Sequence, residues 1–306
     1  MSNGKGVSGK SQALDLKNLL LERRKFVKAL GLVPLASVVS GISGCDGSGI
    51  GDSSSTSSAT SSTSSTTASS TSTSSTSTWA SGTTDLITVD YPDDSLFESS
   101  SACQVSLTQS TTEGPCYFQD STGEDISLGL SGLPMQLCLR LIDSNCEPLE
   151  NYTIEAWHCD IDGIYSGDTS DSDDASSFNT GFCTNNEDDA LASTWYRGQL
   201  VTDDSGRVNF KSCFPGWYRG RTVHIHVQIT SEDMQSTLVT QFCFTDDLVT
   251  QIFTSHDLYS SRGDQDTPLS GGTDTVFPAS DYDVFLLTTE QNSDNTMLAY
   301  GTIQLT

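Results

Sequence analysis

The stretch "FPGWYRGRTVHIHVQI", Phe214 to Ile229, packs two histidines, a tyrosine and two arginines into nine positions of a chain with four histidines in 306 residues. Residues two apart on a strand project to the same side, so His224 and His226 present both imidazoles on one face. Val223, Ile225 and Val227 face the other way. His-x-His is a two-ligand element shared by zinc, copper and iron sites. It is also a pattern that core or surface histidines produce, so the neighbours must decide. Tyr218 lies six residues before His224, beyond a Pro215-Gly216 turn, where its phenol can fold back toward the imidazoles. Tyr165 follows the turn Asp162-Gly163 at the end of a strand. Two phenols and two imidazoles form a hard N2O2 donor set, and phenolate is a strong donor to Fe(III), whose charge also depresses the phenol pKa. No carboxylate is evidently paired with the histidines, which argues against a 2-His-1-carboxylate Fe(II) site.

These side chains need a rigid support, and the sequence around them reads as strands. "MQLCLRLID" places Met135, Leu137, Leu139 and Leu141 on one face, and "NYTIEAWHC" alternates Tyr152, Ile154 and Ala156 against Thr153, Glu155 and Trp157. "GRVNFKSC", "TVHIHVQI" and "STLVTQFCF" are similar runs of strand-forming residues. Turn signals separate them at Asp162-Gly163, Asp203-Asp204-Ser205-Gly206 and Pro215-Gly216. One short helix is expected around Asp246 to Phe253. The pattern predicts an all-β fold, a β-sandwich core with long loops. The acidic segment Gly167 to Ala190 reads as a solvated loop tied down through Cys183. It lacks the ordered acidic spacing of a calcium loop.

Charge excludes some partners. From Cys45 onward there are 38 acids and 7 bases, a net charge of about −31. Such a surface repels nucleic acid and anionic headgroups. Five of those seven bases lie between Arg197 and Arg221, and that concentration beside the histidines is a functional hint.

The N-terminus carries an address. Arg23-Arg24-Lys25-Phe26-Val27-Lys28 followed by a modest apolar run resembles a twin-arginine export signal. Ile42-Ser43-Gly44-Cys45 resembles a lipoprotein box. We divide the chain into a signal segment (1–44), a lipidated Cys45 with a Ser/Thr-rich stalk (45–84) and a catalytic-type domain (85–306). Ser53 to Thr78 is Ser and Thr apart from Ala59 and Ala68, a composition with nothing to bury. The expected location is the periplasmic or extracellular face, lipid-anchored to a membrane. The eight cysteines beyond Cys45 predict up to four disulfides in that oxidising setting.

"TEGPCYF" (Thr112 to Phe118), "EAWHCDIDGIYSG" (Glu155 to Gly167), "TWYRGQLVTDDSGRVNFKSCFPGWYRGRTVHIHVQI" (Thr194 to Ile229) and "TQFCF" (Thr240 to Phe244) together resemble the intradiol ring-cleavage dioxygenases, of the protocatechuate 3,4-dioxygenase-like type. The resemblance implies a non-haem Fe(III) held by Tyr165, Tyr218, His224 and His226, with hydroxide or water completing the set. It implies that Tyr218 leaves the metal when substrate chelates and Tyr165 stays, and that Arg221 and Gln241 border the aromatic ring. Arg221 would stabilise charge developing on the ring, with a structural role in fixing its loop as the rival. The implied reaction inserts both atoms of O2 between the hydroxyl-bearing carbons of a catechol-like diol to give a muconate-type diacid. Cys116 stands where family members commonly carry tyrosine, so a disulfide there would reshape the entrance. The protocatechuate-type sandwich pairs unlike chains, so a homo- or hetero-oligomer is expected. The alternative function is a secreted, metal-containing binding module without turnover, and a copper oxidase-like site is a minor third. His158 is expected at the core edge or surface, and His256 within reach of the pocket rim.

Overall fold

The computed structural model describes residues 79–98, 108–114, 116–117, 123–169, 183–233 and 236–305, and the signal, the anchor and the Ser/Thr tract lie outside them. Eight strands among these residues form two four-stranded sheets. In chain order they are β1 (Pro134–Ile142), β2 (Thr153–Trp157), β3 (Arg197–Val201), β4 (Arg207–Cys213), β5 (His224–Thr230), β6 (Ser236–Cys243), β7 (Thr288–Gln291) and β8 (Met297–Gln304). One sheet runs β4-β1-β8-β7 and the other β3-β2-β5-β6. The second is wholly antiparallel, while β1 and β8 pair in parallel at the centre of the first. This is the expected β-sandwich.

Alternation explains which faces meet. Leu137, Leu139 and Leu141 of β1 pack with Ile154 and Ala156 of β2 and with Ile225, Val227 and Ile229 of β5 in one buried cluster. Each such side chain contributes roughly 1.5–3 kcal/mol on burial. The interval strands are therefore pinned in register, because a one-residue slip would turn these side chains outward. The first sheet is covered on its outer face too. Phe97 and the half-buried Tyr91 pack over Cys138 and Leu298, so β1 is buried almost throughout. The strands β7 and β8 have no counterpart in the sequence reading, although β8 is a central strand.

Besides four short 3-10 helices, the described residues form two α-helices, α1 (Asp188–Leu191) and α2 (Asp246–Ser255). The second is the expected one. Thr245 caps it by accepting from Leu248 N, acidic residues fill its first turn, and Val249, Ile252 and Phe253 close one end of the core. His256 ends this helix. Its Nδ1 accepts from Leu258 N at 3.2 Å, so the proton sits on Nε2, which donates to Ala80 O at 3.0 Å. His256 thus fastens the start of the domain and takes no part in a pocket rim. Ala80 N also donates to Asn295 O, so contacts with the sandwich already exist at Ala80.

The cysteines correct an expectation. Cys116 and Cys183 are disulfide-bonded, as is Cys146, but Cys138, Cys159, Cys213 and Cys243 are free and buried. Each of the four acts as a small apolar filler without a cysteine opposite. The Cys159 and Cys243 thiols donate to Gly216 O and Phe285 O, and burial pushes both pKa values up. Four disulfides are therefore excluded.

Candidate metal centre

The functional face is the outer side of the β3-β2-β5-β6 sheet. Cross-strand register places Trp157, His226 and Gln241 in one row across β2, β5 and β6, with Arg197 of β3 at its end. The Trp157 indole stacks on the His226 ring, 4.9 Å between centroids and 9° between planes. That contact and the alternation of β5 fix the imidazole before any metal arrives. Val223, Ile225 and Val227 point into the core, as expected.

Loops bring the phenols to this row. Asp160 Oδ1 accepts from Asp162 N and Ile164 N, closing the turn that aims Tyr165 inward. Gly163 sits at φ +79°, and a Cβ there would lie 2.2 Å from Trp217 O, so only glycine lets this turn pass beneath the loop carrying Tyr218. The two loops then converge. Tyr165 OH is 2.8 Å from His226 Nε2 and 3.4 Å from His224 Nε2, and Tyr218 OH is 3.1 Å from His224 Nε2. The phenol oxygens are 3.4 Å apart and the two Nε2 atoms 3.0 Å apart. Tyr165, Tyr218, His224 and His226 are all buried.

Proton placement shows what this cluster is for. His224 Nδ1 lies 2.6 Å from Thr222 O, a carbonyl that can only accept, so Nδ1 carries the proton. Its Nε2 therefore directs a bare lone pair into the cluster, the tautomer of a metal ligand whose other nitrogen is held by the backbone. Burial, then Arg221, hold the His224 pKa well below normal, and burial followed by His224 does the same for His226. Burial also raises both phenols: Tyr165 well above its ordinary value, with Tyr218 adding to the effect, and Tyr218 to about 12 despite the opposing Arg221 charge. Without a cation the four atoms are neutral and crowded. A trivalent ion among them would draw off the two phenolic protons and be held by a hard, dianionic donor set. The residues fit Fe(III).

A different grouping, Cys116, Cys183 and Asp168, brings possible ligand atoms close together. Its two sulfurs form the disulfide, so it is not a thiolate metal site.

Arg221 and Gln241 stand beside the cluster. Arg221 NH1 is 3.5 Å from Tyr218 OH and NH2 is 2.5 Å from Gln241 Oε1, while Gln241 Nε2 donates to Thr112 O at 2.7 Å. Both proposed functions of Arg221, contact with the reacting side and fixing of the loop, are thus accommodated by one geometry. The five clustered bases do not act together. Arg207 and Lys211 lie on β4 in the other sheet, paired with Asp94 and Glu124.

Sequence reasoning missed several residues that shape the site. Gly114 adopts φ +85°, and a Cβ there would fall 2.1 Å from His226 Cε1, so the Thr112–Gly114 segment lies directly on the imidazole. Two residues on, the Cys116–Cys183 disulfide packs in a buried cluster with Trp157, Tyr165 and Tyr218. The acidic segment is tied at Cys183, as expected. Arg197 is buried and donates to Cys116 O and to Ser166 Oγ, joining this cover to the residue after Tyr165. Asp274 binds Arg221 from beyond the stretch whose motifs could be recognised. His158 is fully buried rather than at an edge. Its Nδ1 donates to Cys159 O and its Nε2 accepts from Ser212 Oγ, both at 2.7 Å, and it stacks on Tyr196.

Residues 113–261 match a family described as "Dioxygenase". No curated protein matches the chain in sequence. Among solved structures the chain is similar to an intradiol ring-cleavage dioxygenase from Tetranychus urticae, with 23% identity, 65% of this chain and 94% of that chain covered, and a TM-score of 0.56. A second dioxygenase structure has the same identity and coverage, with a TM-score of 0.52. At that identity they establish the shared fold.

Proposed function

We propose that this chain is an intradiol ring-cleavage dioxygenase that holds Fe(III) with Tyr165, Tyr218, His224 and His226 and opens a catechol-like ring between its two hydroxyl-bearing carbons, a reading supported by the family match over residues 113–261. Both atoms of O2 end in the product, a muconate-type diacid, so no external reductant is needed. The observation that carries this assignment is the convergence of two phenol oxygens and two Nε2 atoms at 2.8–3.4 Å, with His224 locked in the ligand tautomer. When bound, the ferric ion would supply a Lewis acid that favours the diol in its dianionic form, whose ring is electron-rich toward O2.

The chain's own residues do the rest. The diol must lose two protons on chelation. Tyr218, on a loop and touched by the Arg221 guanidinium, would accept one of them at its phenol oxygen, and the hydroxide displaced by the diol would take the other and leave as water. Tyr165 is held between two imidazoles and would keep its place among the residues that hold the ion. Arg221 and Gln241 flank the place of the ring, where Arg221 stabilises oxygen-centred negative charge. The buried wall of Trp157 and the disulfide limits water at the site.

The test is the visible absorption of the iron-loaded protein under argon. Tyrosinate-to-ferric charge transfer should give a broad visible band that moves to longer wavelength with catechol, and admitting oxygen should then yield diacid. A colourless protein with ferric iron verified in place would overturn the ligand assignment and favour a binding module.

We further infer export of the folded chain by the twin-arginine route and anchoring through Cys45 at the periplasmic or extracellular face of a membrane. The order Arg23-Arg24, apolar run, Cys45 supports it. Among the described residues no helix is long and apolar enough to cross a membrane. Cell fractionation decides: Cys45→Ala should move the protein from the membrane to the soluble fraction. Association with a like or unlike chain belongs to the same proposal, and sedimentation of the purified protein tests it.

A further inference from the structure

Seven basic residues serve the chain beyond Gly31. In the folded domain six have committed partners. Arg140 donates to Ser205 O, Arg197 to Cys116 O and Ser166 Oγ, and Arg262 to Trp217 O while lying over that indole. Arg207 and Lys211 pair with carboxylates on the other sheet. Arg221, the guanidinium that touches Tyr218, pairs with Asp274 through Nε at 3.1 and 3.2 Å. Arg219 is exposed, and Asp266 accepts from the backbone N–H of the next residue at 3.4 Å.

Asp274 is held from several sides. Its side chain is 2% exposed, and its carboxylate accepts from Thr222 N, Val276 N and Phe277 N, each at 2.8 Å. The segment it anchors also lays the Phe277 ring beneath the guanidinium, 5.6 Å from centroid to Cζ. Arg221 therefore meets the ligand cluster as one half of a rigid ion pair, and the Asp274 carboxylate behind it offsets part of the positive charge that it brings there.

We propose that Asp274 is a specificity-determining residue that makes the site selective for aromatic 1,2-diols without an anionic substituent, a proposal that rests on the ring-cleavage assignment above. A ferric ion with two tyrosinates and hydroxide is neutral, and it is neutral again when a diol dianion replaces the hydroxide and one tyrosinate. A ring carboxylate adds one more negative charge to a buried site. Of the guanidinium groups beside it, Arg221 is offset by Asp274 and Arg197 is committed to Cys116 O and Ser166 Oγ, and the surrounding protein is strongly acidic. An unpaired buried charge is disfavoured where a neutral group of the same size is not.

Anaerobic titration of the iron-loaded protein, read by visible absorption, tests this without turnover. Three ligands suffice: catechol, 3,4-dihydroxybenzamide and 3,4-dihydroxybenzoate, the last two matched in size and differing in charge. The amide should bind within a fewfold of catechol, and the carboxylate about tenfold or more weaker than the amide, the scale of one modest charge interaction. Asp274→Asn should release the Arg221 charge and raise the carboxylate's affinity relative to the amide by about tenfold, whereas a merely structural defect would weaken both alike. Should that variant not fold, the native amide-to-carboxylate ratio still decides. Equal binding of carboxylate and amide by the native protein overturns the proposal. An Arg219→Gln variant that then loses the carboxylate alone would identify the cation responsible. No spectral response to any of the three would instead sink the ring-cleavage assignment on which it rests.

Discussion

At the scale of single residues, the four histidines illustrate how environment divides identical side chains among tasks. His224 puts a bare nitrogen and His226 its Nε2 into one cluster, His256 staples the segment at Ala80, and His158 is a core residue with both ring nitrogens occupied. For His158 the consequence is measurable. Burial pushes its pKa down to about 4, so the folded protein excludes a proton that the unfolded chain accepts below its ordinary value of 6.5. Between those two pH values the unfolded state binds more protons, so stability falls as pH falls, by about 3 kcal/mol in all from this residue. His158→Gln, which cannot titrate, should be less stable at pH 7 yet show a shallower loss from pH 6.5 to 4.5. Urea unfolding of the iron-free variant and native protein, compared at several pH values, measures the two slopes. Equal slopes would show that His158 titrates freely in the fold.

At the scale of elements, the site is one strand row with three loops laid over it, and legibility followed that division. The His-x-His alternation and the core face of β2 and β5 could be read directly, because period-two patterning carries its own geometry. The placement of Tyr165 and Tyr218 came from recognised motifs, since spacing alone does not say where a loop folds. Asp274 was not legible: it reaches Arg221 across 53 positions from a segment without periodicity. The strands β7 and β8 escaped because nothing local announces a parallel pairing with β1 some 160 residues earlier. The four free cysteines could not be picked out in advance, because an even count says nothing about which side chains face each other.

The cover loop yields an element-scale prediction. Gly114 touches His226, and the disulfide at Cys116 and the buried Arg197 hold that loop down. Gly114→Ala would force either the loop upward or the imidazole off its indole stack, and φ +85° adds strain for any side chain. The expected result is iron occupancy falling about tenfold or more at limiting metal, with the melting temperature of the iron-free protein changed far less. Metal analysis after dialysis against a weak chelator reads the first, and calorimetry the second. Full iron retention would show that the loop yields and that His226 is held by Trp157 alone.

At the scale of the whole molecule, charge arithmetic sets how the domain responds to its medium. With 38 acids and 7 bases beyond Cys45, at most seven acids can be neutralised by pairing, and the remainder repel one another. Some of the pairs that do form are buried, such as Arg221–Asp274, and salt screens buried pairs little. Screening therefore acts mainly on repulsion, and the melting temperature should rise by several degrees between about 10 mM and 500 mM sodium chloride. Chloride is the appropriate anion, since sulfate would strengthen apolar burial by exclusion from the surface. A falling melting temperature would mean that surface ion pairs outweigh the excess of negative charge. The same screening separates two contributions to diol selection. The long-range field of the domain disfavours any anionic ligand and fades with salt, while the partial offset of Arg221 by Asp274 operates at contact distance in a buried site and does not. The affinity gap between a dihydroxybenzoate and its amide should thus narrow with salt but persist at 500 mM, the residue being the part that Asp274 controls.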